Sequence, residues 1–324
     1  MQDESEELMV QAAWYYHVEG MTQANIAERL NLTRRRVNEM LSRAHESGLV
    51  SVHFNSPLSL CAELESGLCN RFGLEAAVVV PTPSEPALVH KVLGKATADY
   101  LTRLIQARKP HAIGLGWGTT LRETIMSARP QNFEELEVYS IMGGLTHGTE
   151  INTFEIVRSF AERFGATGNY LVAPIYMDSA EARQAIVSQA SFRKALDAIC
   201  NADVGLVSVG DVSGRSLQVR YGLPEGVTPH DLVSAGAVGD VIGRYVDSEG
   251  RQIDHPLNHQ VMSPELEDFR KIQTRIVASG GQHKHAIMRA VVAAGHVNVV
   301  ITDADCAAHL LGDGRPRSGL GRAG

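Results

Sequence analysis

The chain has 324 residues, of which 44% are hydrophobic and 30 are glycine, with a formal net charge of −7. That length divides most simply into two domains, each large enough for its own fold, and apolar runs such as Ala76 to Val80 stop far short of the ~20 residues a membrane helix needs. The negative balance excludes a surface coated with nucleic acid, so any contact with DNA has to be local.

The opening stretch, Met1 to Glu7, is acidic and polar and has neither the basic segment nor the apolar run of a secretory leader. A cytoplasmic location with no membrane partner is the expectation. Cys61, Cys69, Cys200 and Cys306 form no C-x-x-C pair and have no histidines at zinc-site spacing, so they read as free thiols, with no metal and no cofactor implied. His255 and His259 lie four apart, but Pro256 between them argues against a helical metal site.

Two helical stretches separated by a short turn fall between Thr22 and Leu41. Thr22 caps the first, whose Ile26, Ala27 and Leu30 share a face, and Val37, Met40 and Leu41 share a face of the second. Asn31-Leu32-Thr33 makes the turn: Asn31 suits the left-handed conformation that ends a helix, Leu32 plugs the corner and Thr33 caps the next helix. This is the spacing of a helix-turn-helix. Arg34, Arg35 and Arg36 then crowd the first turn of the second helix, where the macrodipole disfavours cations by some tenths of a kcal/mol each. An anion arriving there resolves the conflict, and a major groove supplies one in its phosphates and guanine edges.

Residues 1–53 carry five Arg and no Lys against eight Asp and Glu, 5 − 8 = −3, so the positive charge sits on one helix and not on the whole module. Thr22, Gln23, Thr33, Arg34, Arg35, Arg36, Asn38 and Glu39 are the candidate DNA-binding residues; Asn38 suits adenine and Glu39 suits cytosine. After Gly48, the alternation of Leu49 to Phe54 predicts a short strand that makes the head winged-helix-like.

Ser56-Pro57 breaks the chain, and Leu60, Leu64 and Leu68 recur at helical spacing in a connecting segment that suits either pairing with a second subunit or packing on its own domain. Boundaries at 1–55, 56–315 and 316–324 are predicted for head, effector-binding and oligomerisation domain, and disordered tail, the tail after Gly312 being rich in Gly and Arg. Strands are predicted at Ala76–Val80, Ala112–Leu115, Val138–Met142, Val204–Val209, Ile276–Ala278 and Val297–Thr302. Helices are predicted between them at Val89–Ile105, Leu121–Ser127, Phe154–Phe164, Phe192–Ile199, Lys284–Ala294 and Asp303–Leu311. Such alternation implies an α/β fold, a doubly wound, Rossmann-like parallel sheet with ligands bound at the carboxyl ends of its strands.

Glycine-rich turns fall at those ends. Gly116-Trp117-Gly118-Thr119-Thr120 leaves a strand and opens a helix, which favours a phosphate or sugar hydroxyls, although neither G-x-G-x-x-G nor a P-loop is present. Gly143-Gly144, Gly236 to Asp240 and Ser279 to Lys284 are further turns, with Asp240 placed to accept from hydroxyls and Lys284 to neutralise a phosphate.

In order along the chain, Tyr15 to Gln23, Gly116 to Leu121, Gly236-Ala237-Val238-Gly239-Asp240, Ser279-Gly280-Gly281 with Lys284-His285-Ala286-Ile287, and Val297 to Asp303 resemble the SorC family of bacterial sugar-responsive regulators. The resemblance spans nearly the whole chain. It implies a sugar-binding domain related in fold to glucosamine-6-phosphate deaminase and ribose-5-phosphate isomerase, an oligomer that is often a tetramer, and an effector that is commonly a phosphorylated sugar. It also implies that Gly118, Thr119 and Thr120 cradle the phosphate while Asp240 and Lys284 line the same pocket. One departure is visible: where a family member captures its effector through a lysine on the third strand, the run here, Tyr139-Ser140-Ile141-Met142-Gly143-Gly144, has none. His147 and Thr149 beyond it read first as surface loop residues, with polar groups for a ligand as the alternative.

The expected function is therefore DNA-binding regulation of a carbohydrate or polyol catabolic operon, with operator DNA, a sugar, sugar phosphate or polyol, and further copies of the chain as partners. The rival is a sugar-phosphate isomerase or deaminase with a DNA-binding head. Asp240, Asp303, Asp305 and His285 are its candidate groups, but they form no catalytic signature.

Overall fold

Among the described residues, helices build the first of the two units into which the chain divides, Met1–Ser56 and Pro57–Gly324. The computed structural model describes residues 2–50, 57–145 and 151–312. In the first unit, α1 (Gln2–His17) precedes α2 (Gln23–Arg29) and α3 (Arg34–Glu46). The Thr22 hydroxyl accepts from the Asn25 amide at 3.3 Å and the Thr33 hydroxyl from the Arg36 amide at 3.2 Å, each satisfying a donor the helix itself cannot. Asn31 adopts φ 52°, the left-handed conformation the turn requires. Ile26, Ala27, Val37 and Met40 are buried together, and Met9, Ala12 and Ala13 of α1 complete that core. The sequence did not announce α1, because its apolar residues are spread round the helix and leave Val10 and Trp14 exposed. A Thr33→Ala variant is expected to lose about 1 kcal/mol of local stability. Hydrogen exchange of the α3 amides would show this as a roughly fivefold acceleration.

The second unit is built on a parallel seven-stranded sheet of order β1-β10-β9-β5-β2-β3-β4. Its strands are β1 (Ala76–Val80), β2 (Ala112–Leu115), β3 (Glu137–Ser140), β4 (Thr167–Asn169), β5 (Val204–Val207), β9 (Thr274–Ala278) and β10 (Val299–Asp303). A separate antiparallel sheet joins β6 (Val209–Asp211), β7 (Gly239–Val241) and β8 (Arg244–Val246). The long connections are α4 (Pro57–Phe72), α5 (Val89–Arg108), α6 (Thr119–Ser127), α7 (Thr153–Phe164), α8 (Ala180–Val187) and α9 (Ala190–Cys200). Short helices α10 (Pro229–Ser234), α11 (Pro256–Gln260) and α12 (Leu266–Phe269) follow, then α13 (His285–Ala293) and α14 (Ala304–Leu310).

The period of two along a strand sorts side chains to opposite faces of the sheet. Ile276 and Ala278 of β9 and Val299 and Ile301 of β10 pack with α5, α6 and α7, whereas Val277 and Val300 pack with α4, α13 and α14. Both faces are thus covered by helices, which is why these strands read as continuous apolar runs. Leu64 and Leu68 of the connecting helix α4 belong to this core, while Leu60 stays at the surface. Among the described residues no helix is long and apolar enough to cross a membrane.

Several expectations need correction. Val204–Val209 is not one strand: the chain leaves the parallel sheet after Val207, and Ser208 separates β5 from β6 of the antiparallel sheet. Gly236 to Asp240 is not a turn at the end of a parallel strand, since Gly239 and Asp240 lie within β7, paired with Asp211 and Gly210. The third strand ends at Ser140 instead of Met142. Pro256 does not disrupt a helix; it occupies the first turn of α11, where its missing amide costs nothing, and His255 caps that helix. The wing beyond Val50, His147 and Thr149, and the tail after Gly312 lie outside the described residues.

Candidate functional site

Two surfaces collect the residues the sequence singled out. On the head, the first turn of α3 presents Arg34, Arg35 and Arg36 to solvent, with the Arg35 side chain 90% exposed. Asn38 beside them is also exposed, and half-buried Gln23, at the start of α2, donates from Nε2 to Asn38 Oδ1 at 3.2 Å, so the two helices of the motif are tied by a pair of amides. Glu39 receives Arg35 Nε at 3.0 Å and has Arg36 at 3.6 Å. The hydrogen bond from Arg35 holds the Glu39 carboxyl below its ordinary pKa, so it is a carboxylate at neutral pH. Arg34 borders a cleft that also has Thr22 and Gln23 in its wall.

The second surface is a cavity of about 240 Å³ in the body. After β2, the chain runs through β3 and β4 toward one edge of the sheet, and after β5 it runs through β9 and β10 toward the other. Order therefore reverses between β2 and β5, and the carboxyl ends of these neighbouring strands open a crevice. Trp117 to Thr120 follow β2, Ser208 follows β5, and His283 and Lys284 follow β9; all line the cavity. Gly118 has φ 123° and ψ 167°, a backbone that side chains rarely adopt, and it precedes α6 with no side chain capping the helix. The free amides of that first turn point the positive end of the helix toward the cavity.

Its floor is charged. Asp240 and Lys284 are buried, and so are Asp211, Ser216 and Gln218 beside them. Lys284 Nζ donates to Ser279 Oγ at 3.1 Å, and that hydroxyl lies 3.3 Å from Ser208 Oγ. Burial pushes the Lys284 ammonium down to about 8 against the pull of Asp211 and Asp240. Burial likewise pushes the Asp240 carboxyl up to about 7, opposed by the Gly243 amide, which donates to Oδ2 at 3.2 Å, and by Lys284. Asp240 Oδ1, Asp211 Oδ1 and Ser216 Oγ are buried in residues that line the cavity, with no hydrogen-bond partner among the described residues. A Cβ on Gly210 would collide with Asp240 Oδ1 and stand 3.0 Å from Ser216 Oγ, so only glycine lets these two groups converge.

Of the predicted effector residues, Trp117, Gly118, Thr119, Thr120, Asp240 and Lys284 are brought together, whereas Gly116, Gly143 and Gly144 are not part of the cavity wall. Gly116 continues the pairing of β2 with β5 through a 2.9 Å bond from its amide to Leu206 O. Gly143 is pressed against the carbonyl of Pro174 and Gly144 against Asn152 and Phe154, so both serve close packing. Reading each strand end in turn could have found Asp211, Arg215 and Ser216, because Gly210 to Ser216 is a polar, glycine-containing run directly after an apolar one. His90 carried no such signal. It comes from the first turn of α5, places Nδ1 2.9 Å from Thr120 Oγ1, and is kept neutral by burial, its pKa falling to about 4. Asp303 is not available for chemistry: its oxygens accept from the amides of Gly281 and Cys306 and from Thr82 Oγ1.

A helix-turn-helix head with an arginine-studded second helix, followed by an α/β body with a polar cavity at its switch point, makes a ligand-responsive transcriptional regulator. Residues 56–312 match the Sugar-bind family, a sugar-binding domain, and the chain belongs to that family. It is similar to the erythritol catabolism regulatory protein EryD of Brucella abortus, with 28% identity over 96% of this chain and 98% of that one. It is similar also to the deoxyribonucleoside regulator of Bacillus subtilis, with 28% identity over 97% and 100% of the two chains. Among solved structures, the full-length sorbitol operon regulator SorC of Klebsiella pneumoniae superposes with a TM-score of 0.71 at 25% identity, covering 95% of this chain and 99% of that one. These relatives are regulators, not enzymes, and the chain is a sugar-responsive regulator of a catabolic operon.

Proposed function

We propose that the chain acts in the cytoplasm as a homo-oligomer that grips operator half-sites through Gln23, Arg34, Arg35, Arg36 and Asn38, and that its effector is a small polyol or sugar, preferably as a phosphate ester. The effector site is the cavity of Trp117 to Thr120, Asp211, Asp240 and Lys284. One observation carries this reading: three buried oxygens, of the cavity-lining Asp211, Asp240 and Ser216, have no hydrogen-bond partner among the described residues. Leaving such a group unsatisfied costs about 1–3 kcal/mol. Hydroxyl groups are the donors that recover this cost, and several converging acceptors suit a molecule bearing several hydroxyls. The uncapped start of α6, with Arg215 and Lys284 in the same wall, supplies amides and cations for a phosphate. The names of the relatives, which cite erythritol, sorbitol and deoxyribonucleosides, fall in one chemical class of polyhydroxylated compounds. Coupling follows if effector binding changes subunit packing and with it the spacing of two recognition helices, since half-sites lie about one helical turn, or a multiple of it, apart.

A thermal-shift screen of sugar alcohols, free sugars and their phosphate esters tests the assignment. At least one member should stabilise the protein in a concentration-dependent manner, by about 2.7 kcal/mol at a hundred times its Kd, and should be recovered unchanged. No stabilisation by any polyhydroxylated compound would contradict it, and consumption of the stabiliser would favour the enzyme instead.

A further inference from the structure

Glu39 occupies the same exposed face of α3 as the arginines, and its two oxygens are divided between them: Oε1 takes Arg35 Nε at 3.0 Å and Oε2 faces Arg36 at 3.6 Å. Half of its own side chain is in solvent, so the pairings add little to stability. What they bias is direction. An unpaired arginine samples many rotamers and follows any phosphate backbone, whereas two guanidiniums drawn to one carboxylate favour a narrower set of donor arrangements. The carboxylate also cancels one of the three positive charges and stands close to where phosphates arrive, which weakens binding to DNA of any sequence. A residue meant only for affinity would not be acidic at this place.

Resting on the DNA-binding reading above, we infer that Glu39 is a specificity-determining residue that works by positioning Arg35 and Arg36 and suppressing indiscriminate phosphate contact, not by reading a cytosine. Asn38, on the same helix, is held by Gln23 and not by the arginines, so the two reading elements are separately anchored.

The test compares the full-length wild type with Glu39→Gln by fluorescence anisotropy on two duplexes of equal length, one carrying the site that the wild type footprints upstream of its own gene and one of random sequence, across a series of KCl concentrations. A freed arginine adds about one phosphate contact, so the salt slope on random duplex should steepen by about 0.9 and the affinity at 0.1 M salt should rise by up to about eightfold. Affinity for the operator should rise by less, so the ratio between the duplexes falls, and in an Arg35→Ala background the gain from Glu39→Gln should shrink. Equal gains on both duplexes would overturn the inference, as would loss of operator binding with the random-duplex slope unchanged, which would make Glu39 a base-reading group. A wild type that binds neither duplex would overturn the DNA-binding reading and the inference with it.

Discussion

Replacing Arg35 and Arg36 with alanine is expected to lower operator affinity about sixtyfold at 0.1 M salt and to flatten the salt dependence by about 1.8 in slope, the sum of two lost phosphate contacts. The Arg35 side chain is largely and the Arg36 side chain half exposed, and among the described residues both pair with Glu39, so the core of Ile26, Val37 and Met40 should be untouched. Thermal unfolding and effector-induced stabilisation should therefore match the wild type. Electrophoretic retention and anisotropy over a KCl series read the loss directly. An unchanged slope would mean that Arg35 and Arg36 do not meet phosphate, and loss of effector stabilisation in the same variant would mean that head and body are not separable.

The second large effect concerns Asp240. Its carboxyl is pushed up to about 7 in the folded chain, against an ordinary value near 4, so between these limits the native state keeps a proton that the unfolded chain has released. The sign follows from linkage: a raised carboxyl pKa makes stability fall as pH rises through this window, with the full cost reached above pH 7. In Asp240→Asn the group cannot titrate, so the variant should gain on the wild type by roughly a few kcal/mol between pH 4 and pH 8, as measured by urea unfolding at each pH. A difference that stays constant would show Asp240 ionised throughout. Lys284 has the opposite dependence, for its ammonium is pushed down to about 8, so its contribution improves as pH rises from there toward the ordinary lysine value. Above pH 7, where Asp240 is a carboxylate, Asp240→Asn should also lose most effector stabilisation, because an amide puts donors beside a single acceptor where hydroxyls have to be received.

The parts legible in the sequence were those governed by local rules. Thr22, Asn31 and Thr33 declare caps and a turn through chemistry that acts within four residues, and Val277 and Val300 betray a buried sheet by their apolar flanks. Gly118 was readable because it stands directly before the helix-opening Thr119-Thr120, where a chain leaving a strand has to turn; Gly116, in the same run, instead prolongs the strand pairing. The parts that escaped depend on contacts distant along the chain. Asp211 becomes a cavity residue only because β6 pairs with β7, and Gly239 and Asp240 form a strand although glycine and aspartate are poor strand formers. Gly143 and Gly144 look identical to ligand-binding glycines in sequence, yet what presses on them is Pro174, Asn152 and Phe154. His90 illustrates the same limit, since nothing nearby in sequence tells that it will meet Thr120.

On the function proposed above, the cavity of the body and the arginine-bearing helix of the head are coupled. Operator affinity of the full-length wild type, measured with and without the compound that stabilises it best, tests that coupling most directly. The expected result is a change of at least about fivefold, the lower end of ordinary allosteric coupling, which disappears in Asp240→Asn. Identical affinity in the two conditions, with the compound demonstrably bound, would contradict it.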